Sequence, residues 1–361
     1  MATPSRKSGT SSEHLETLPG AQSLPNASCL PQGHNPQEQP WIQSYKARYP
    51  RWLTGNKLLW MASIFGSLGD ALFGFDQGIM AGLLVNSTWV KQYLSDRGGA
   101  NGTTDDVNAS LTVIIVSYLQ IAAAIAALFS GTLADKLGRK RCVRMGESLN
   151  LVAAIIQCLP PNLAAFITGR TLQGFAVGML SMTMPIIQAE IDRPHRRGLL
   201  VGIEYSFLIS SYMLSCWINY AVYYPIPSNE YFRTPFCAQM GLATVLVFMS
   251  FFLPETPRWL ARYGFLSECK QTLADLHANG DTTDPDIQNV ILEIQQAVFY
   301  EGGLGKVRWS DMFGRYRHQT VMAISAQMFA QLNGINVISF YLPGTLSKAG
   351  YTTDQRSYVG A

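Results

Sequence analysis

The sequence predicts an all-α membrane protein, and three observations carry that prediction. Nearly half of the 361 residues (48%) are hydrophobic and only 14% are charged, too few charges for a soluble chain of this length. The apolar residues are gathered in blocks rather than spread with an amphipathic period. Residues 111–134 run 24 positions without a charged side chain and residues 171–189 run 19. A helix needs about 20 apolar residues to cross about 30 Å of hydrocarbon, so these blocks are long enough to span.

Seven such spans are expected, at 59–84, 111–134, 143–160, 163–189, 199–223, 236–253 and 320–346. They divide the chain into four parts: a cytosolic, largely disordered tail (1–58), a six-helix transmembrane domain (59–253), a cytosolic linker (254–317), and a seventh span with an outside stub (318–361). A buried helix of a soluble core is the bland alternative for any one segment, but not for seven in a row. Residues 1–40 contain few large apolar side chains to bury and read as disordered. No apolar stretch opens the chain, so no cleavable signal peptide is expected. Trp41, Tyr45, Tyr49 and Trp52, with Lys46, Arg48 and Arg51, read as an approach to the membrane interface. The cysteines at 29, 142, 158, 216, 237 and 269 include no Cys-x-x-Cys, and indicate neither a disulfide framework nor a metal site.

Charge orients the spans. Lys136, Arg139, Lys140, Arg141 and Arg144 follow span 2, and Arg193, Arg196 and Arg197 follow span 4, whereas the alternate loops hold only Lys91, Arg97 and Arg233. The Lys/Arg bias puts the first set, the N-terminus and the 254–317 stretch in the cytosol. Three Asn-x-Ser/Thr sequons, at Asn86, Asn101 and Asn108, all fall in the first outside loop. Asn108 stands close to span 2, which leaves Asn86 and Asn101 as the expected glycosylation sites, while Asn26 in the tail stays bare. The integral protein is expected in the plasma membrane.

Several motifs lie on these spans. Asp135-Lys136-Leu137-Gly138-Arg139-Lys140 closes span 2, with Gly138 supplying the backbone freedom of a tight turn. Simple cytosolic punctuation would explain the cations but not the Asp and Gly at fixed offsets. Gly74, Gly78 and Gly82 in span 1, and Gly174 and Gly178 in span 4, form small-x-x-x-small stripes that let helices approach closely. Asp76 lies off its stripe, and a carboxylate in hydrocarbon has to be paired, protonated or wet. Arg170, the only cation inside span 4, is its natural partner; a static ion pair that fixes helix packing is the alternative. Asp70 and Glu204 also lie within spans without an assigned role, and Glu147 is expected at an interface. Span 7 carries Gln327, Gln331, Asn333 and Asn336, amides that suit sugar hydroxyls or, alternatively, one another. Gly334 allows local unwinding that turns Gln331 and Asn336 toward one cavity. After span 6, residues 267–277 and 285–301 read as short amphipathic helices, the second started by Asp284-Pro285.

Pro254-Glu255-Thr256-Pro257-Arg258-Trp259-Leu260, at the exit of span 6, resembles the P-E-[ST]-P-R-[WF]-L string of the sugar porter branch of the major facilitator superfamily. Phe73-Gly74-Phe75-Asp76, Gly169-Arg170, Glu190 with Arg197-Gly198, and the amides of span 7 resemble the same family, over roughly residues 59–345. The resemblance implies a superfamily N-terminal six-helix half plus span 7, the start of a second half. It implies transport of a sugar or related polyhydroxy solute by alternating access, as proton symport, with a uniporter, a sugar sensor or an inactive half-transporter as alternatives. Asp76 would be the protonation site and Arg170 its modulator. Asp135, Arg139, Lys140, Glu190, Arg197, Glu255 and Arg258 would form the cytosolic salt-bridge gate. Gln331, Asn336, Tyr341, Phe340 and Tyr205 would face the solute.

Departures from the pattern matter as much. Ala330 stands where the family has a first Gln, Phe340 where it has a first Tyr, and Tyr205 where span 5 has a sugar-binding Gln. Each lost bond to a buried polar group costs on the order of 1 kcal/mol, which points away from an ordinary hexose. The implied coupling ion is a proton and no cofactor, metal or nucleic acid is expected. The expected partners are the solute and the lipid bilayer; with its cavity unclosed, the chain alone is expected either to be unstable or to recruit a further chain. No HExxH, Walker loop, GxGxxG or nucleophile–base set indicates an enzyme. Residues 1–361 alone are expected not to transport.

Overall fold

The computed structural model describes residues 54–84, 86–101, 107, 109–192, 196–223, 231–303 and 309–349. The N-terminal tail, with its expected disorder and its interfacial aromatics, lies outside the described residues, as do Asn108, Arg193 and the outer stub after residue 349. Every regular element described is helical: α1 (Asn56–Leu83), α2 (Ser87–Leu94), α3 (Ala109–Leu137), α4 (Arg139–Cys158), α5 (Leu163–Ile191), α6 (Arg197–Tyr223) and α7 (Thr234–Met249). After these come α8 (Pro257–Arg262), α9 (Leu266–His277), α10 (Pro285–Gly303), α11 (Trp309–Phe313), α12 (Arg317–Leu332) and α13 (Ile335–Lys348).

Among the described residues, five helical segments are long and apolar enough to cross a membrane: α1, α3, α5, α6 and the run Arg317–Tyr341 across α12 and α13. The expected third span begins instead with the charged run Arg139–Arg144, and the sixth is the 16-residue α7, which ends at Met249 rather than 253. Span 7 is broken where Gly334 takes φ +78°, which separates α12 from α13. A left-handed backbone favours glycine because it lacks a Cβ.

Helix α1 packs along α6, α5 lies between α3 and α4, and α4 in turn packs on α7. The glycine stripes set two of these contacts. A Cβ on Gly74 would overlap the Leu208 carbonyl oxygen of α6, and one on Gly174 would overlap that of Leu119 on α3. Small residues let helix backbones meet at that distance. On their outer faces α3 and α6 expose Ile121, Leu128, Phe129, Ile209 and Trp217, which suit a hydrocarbon solvent.

Apolar clusters fill both ends of the bundle. At the α2 end, Phe75, Ile79, Trp89, Phe166, Phe236 and Phe340 pack together, with Trp89 and Phe166 ring centroids 5.4 Å apart. At the other end, Leu58, Phe65, Val143, Met184 and Leu246 pack with Leu276 of α9. The short helices α8 to α10 close over this second end, with Trp259 1% exposed at their centre. The amphipathic pair expected from the sequence thus appears as α9 and α10, under the bundle. Helix α12 buries no residue, in contrast to α13, which lies against α1.

Candidate functional site

The polar groups buried inside the bundle begin with Asp76 of α1 and Arg170 of α5. Arg170 Nη1 donates to both carboxylate oxygens of Asp76, at 2.6 and 2.7 Å, with the Arg170 and Asp76 side chains 0% and 1% exposed. Arg170 Nε and Nη2 find no partner among the described residues. One turn along α5, Gln173 accepts a bond from Gln157 of α4, and both amides are fully buried. Sequence reading passes over Gln157 and Gln173 because they stand on different helices and do not cluster in one span as the amides of span 7 do.

At the α8 end, one carboxylate organises the turn between α3 and α4. Glu255 Oε1 accepts from the backbone N–H groups of Arg139 and Lys140, at 2.9 and 3.1 Å. These are the first amides of α4, which the helix itself leaves unpaired, so the buried carboxylate serves as their cap. Burial pushes the Glu255 carboxyl up, opposed by the N–H groups of Lys140, Thr256 and Arg139 and by the Arg139 guanidinium. Arg139 Nη2 lies 3.1 Å from Asp135 and 3.2 Å from Glu190, tying the end of α3 to the end of α5. Lys140 Nζ donates to the Phe251 carbonyl at 2.9 Å. The Trp259 indole and the Tyr263 hydroxyl both donate to the Asp135 carbonyl, each at 2.9 Å, so α8 is fastened to the same turn.

Of the other expected gate residues, Arg258 is exposed and lines a cleft of about 700 Å³ with Glu190, His277 and Glu293. The Arg197 side chain lies outside the described residues, though its backbone starts α6.

The residues expected to face a solute fall into two groups. Across the break in span 7, the Asn336 amide donates to Gln331 Oε1, so Gly334 brings these two side chains together. Gln331 is exposed, Asn336 and Tyr341 are half-buried, and Tyr205 stands 55% exposed on α6. Phe340 is instead 4% exposed inside the apolar cluster at the α2 end, packed as core. Beside it, the Tyr212 hydroxyl of α6 donates to the Ser339 carbonyl at 3.2 Å.

One expectation needs correction. Glu147, expected at an interface, is 0% exposed inside the bundle, because its face of α4 turns toward α1 and α5. Of the two expected glycosylation sites, Asn86 is mostly buried. It is the N-cap of α2, 9% exposed, and its Oδ1 accepts from Thr88 and Trp89 N–H at 3.1 and 3.0 Å. Asn101, by contrast, is exposed.

Residues 62–361 match the family described as sugar (and other) transporter. The chain belongs to this family. Among its curated sugar transporter relatives, the high-affinity glucose transporter of Kluyveromyces lactis is 28% identical over 295 residues, covering 81% of this chain and 51% of that protein. The sugar transporter STL1 of Saccharomyces cerevisiae is 29% identical over 308 residues, covering 82% and 52%. The chain thus spans about half the length of the curated relatives it matches. A solved double-tryptophan variant of XylE superposes with a TM-score of 0.72 at 21% identity, covering 85% of this chain and 66% of that one. XylE from E. coli is also described as a proton:xylose symporter of the major facilitator superfamily, in a sugar-bound structure with a TM-score of 0.67 at 20% identity, covering 82% of this chain and 64% of that one.

As a sugar transporter family member with the all-α superfamily fold, the chain is an integral membrane protein and not an enzyme.

Proposed function

We propose that this chain forms the first half, and the opening span of the second half, of a carrier that moves a sugar or related polyhydroxy solute by alternating access. The single observation that carries the reading is the break of span 7 at Gly334, which sets Gln331 and Asn336 side by side. Paired amides present donors and acceptors together, the combination that hydroxyl groups require. The loss of the family's first Gln and first Tyr, at Ala330 and Phe340, favours a solute with fewer hydroxyls than a hexose.

Proton symport is the coupling we assign, with Asp76 as the protonated group. The solved proton:xylose symporter supports it by fold. The Arg139, Asp135, Glu190, Glu255 and Lys140 network is the cytosolic latch in this reading, with the N-terminus cytosolic and the protein in the plasma membrane. The near-zero exposure of the Asp76–Arg170 pair favours one second reading, a uniporter in which the pair only fixes α1 against α5.

Uptake by a chain carrying this half with a complete second half, reconstituted in proteoliposomes, separates the readings. Symport predicts accumulation driven by an inward proton gradient, lost in Asp76→Asn while solute exchange persists. Gradient-independent accumulation in the unsubstituted protein, or an undisturbed gradient response in Asp76→Asn, overturns the coupling. Unchanged affinity in Asn336→Ala overturns the solute site.

A further inference from the structure

Three more carboxyls lie inside the bundle, and the Asp76–Arg170 pair does not use them. Asp70 of α1 and Glu204 of α6 stand one helical turn before Gly74 and Leu208, the residues at which these two helices touch, so the two carboxyls face one another, with Asp70 half-buried and Glu204 2% exposed. Glu147 of α4 points at the same part of α1: its Oε1 lies 3.5 Å from the point a Cβ on Gly69 would occupy. Glu147 is 0% exposed, and neither of its oxygens has a partner among the described residues.

Two ionised carboxylates facing one another away from water repel, so a buried acidic pair retains a proton. The Asp70–Glu204 pair is such a case. For Glu147 the reason is desolvation, since a buried ion without counter-ion or donor costs several kcal/mol and neutralises instead. Among the described residues, charged and titratable neighbours do not supply a hydrogen-bonding cation to Glu147. Helix α5 presents Met184 and Gln188, and its Arg170 is engaged by Asp76. On α4, Arg144 lies over the Phe251 ring, 4.1 Å from its centroid. Helix α7 has no charged residue between Thr234 and Met249. No metal-holding group of acidic, His or Cys side chains occurs among the described residues.

We propose that Asp70, Glu204 and Glu147 form a second proton-holding site, distinct from Asp76 and joined to it along α1. Six residues separate Asp70 from Asp76, about 9 Å along the helix axis and toward the α8 end. Glu147 and Glu204 lie within the first turns of α4 and α6, which also start at that end. The trio thus stands between Asp76 and the end of the bundle assigned to the cytosol. Its role as a relay rests on the proposed coupling through Asp76; its capacity to hold protons does not.

Infrared spectroscopy of the purified chain in lipid nanodiscs tests the site itself. The expected result is a protonated-carboxyl C=O absorption that persists at pH 7, with a component lost in Glu147→Gln and another lost in Glu204→Gln. Absence of that absorption in the unsubstituted chain overturns the proposal without any variant having to fold. So does a spectrum left unchanged by both substitutions. In proteoliposomes, with a second half supplied, Glu147→Gln and Asp70→Asn are expected to slow proton-driven uptake and leave solute exchange intact. Unslowed proton-driven uptake in both variants overturns the relay. If Asp76→Asn keeps its gradient response while the infrared components are present, the coupling through Asp76 fails and the proton-holding site stands.

Discussion

Glu255 Oε2 lies 2.7 Å from the point where a Cβ on Gly138 would stand. Gly138 also takes φ +97° and ψ 152°, a conformation that residues with side chains rarely adopt. The Asp-x-x-Gly-Arg-Lys turn and the Pro-Glu-Thr-Pro segment are therefore two halves of one joint, since the glycine makes room for the carboxylate that caps α4.

Replacing Gly138 with Ala is expected to destabilise the α3–α4 turn by about 1–3 kcal/mol from backbone strain alone, with displacement of Glu255 in addition. Thermal unfolding of the purified protein in detergent measures this. A midpoint equal to that of the unsubstituted chain contradicts the joint.

The ion pair between Asp76 and Arg170 predicts a non-additive pair of substitutions. Asp76→Ala leaves a guanidinium buried without its counter-ion, at a cost of about 3–5 kcal/mol. The double change Asp76→Ala with Arg170→Met is expected to recover part of that loss, because the stranded charge is gone. A double variant less stable than either single one shows that the two side chains act independently.

The outer loop predicts unequal use of its sequons. Asn101 is exposed, whereas Asn86 is 9% exposed where it caps α2. On expression in a glycosylating host, Asn101→Gln is expected to abolish the mobility shift produced by a glycosidase. Asn86→Ala is expected to leave that shift in place and to destabilise the loop by about 1 kcal/mol through the lost cap. A glycan found on Asn86 by mass spectrometry reverses this assignment.

Cys158 of α4 and Cys237 of α7 place their sulfurs 3.6 Å apart. Mild oxidation of the purified protein is expected to link them within the chain, identified by a joined peptide that separates on reduction. Recovery of both thiols in reduced form after oxidation contradicts the packing of α4 on α7.

Much of the fold was legible in the sequence because its signals are local. Uncharged runs near the length of a bilayer mark spans, Asp284-Pro285 marks the start of α10, and Gly334 marks the break in span 7. Even the Asp76–Arg170 pair was readable, since Arg170 is the only cation inside span 4 and a carboxylate in hydrocarbon needs a partner. The glycine stripes foretold close approach but did not say which helix would arrive.

The sequence by itself thus determined an all-helical membrane chain, its longest apolar helices, and the residues that could not stand unpaired in hydrocarbon. Only the tertiary structure decided which side chains meet. Asp70 finds Glu204 far along the chain, Glu147 turns inward rather than to an interface, Phe340 becomes core, and Glu255 reaches back to the first amides of α4. The physical reason is that helical periodicity sets a residue's position around its own axis, whereas the azimuth of that axis is set by packing. A buried carboxyl has no intrinsic role until packing fixes whether it meets a cation, an amide or another carboxyl.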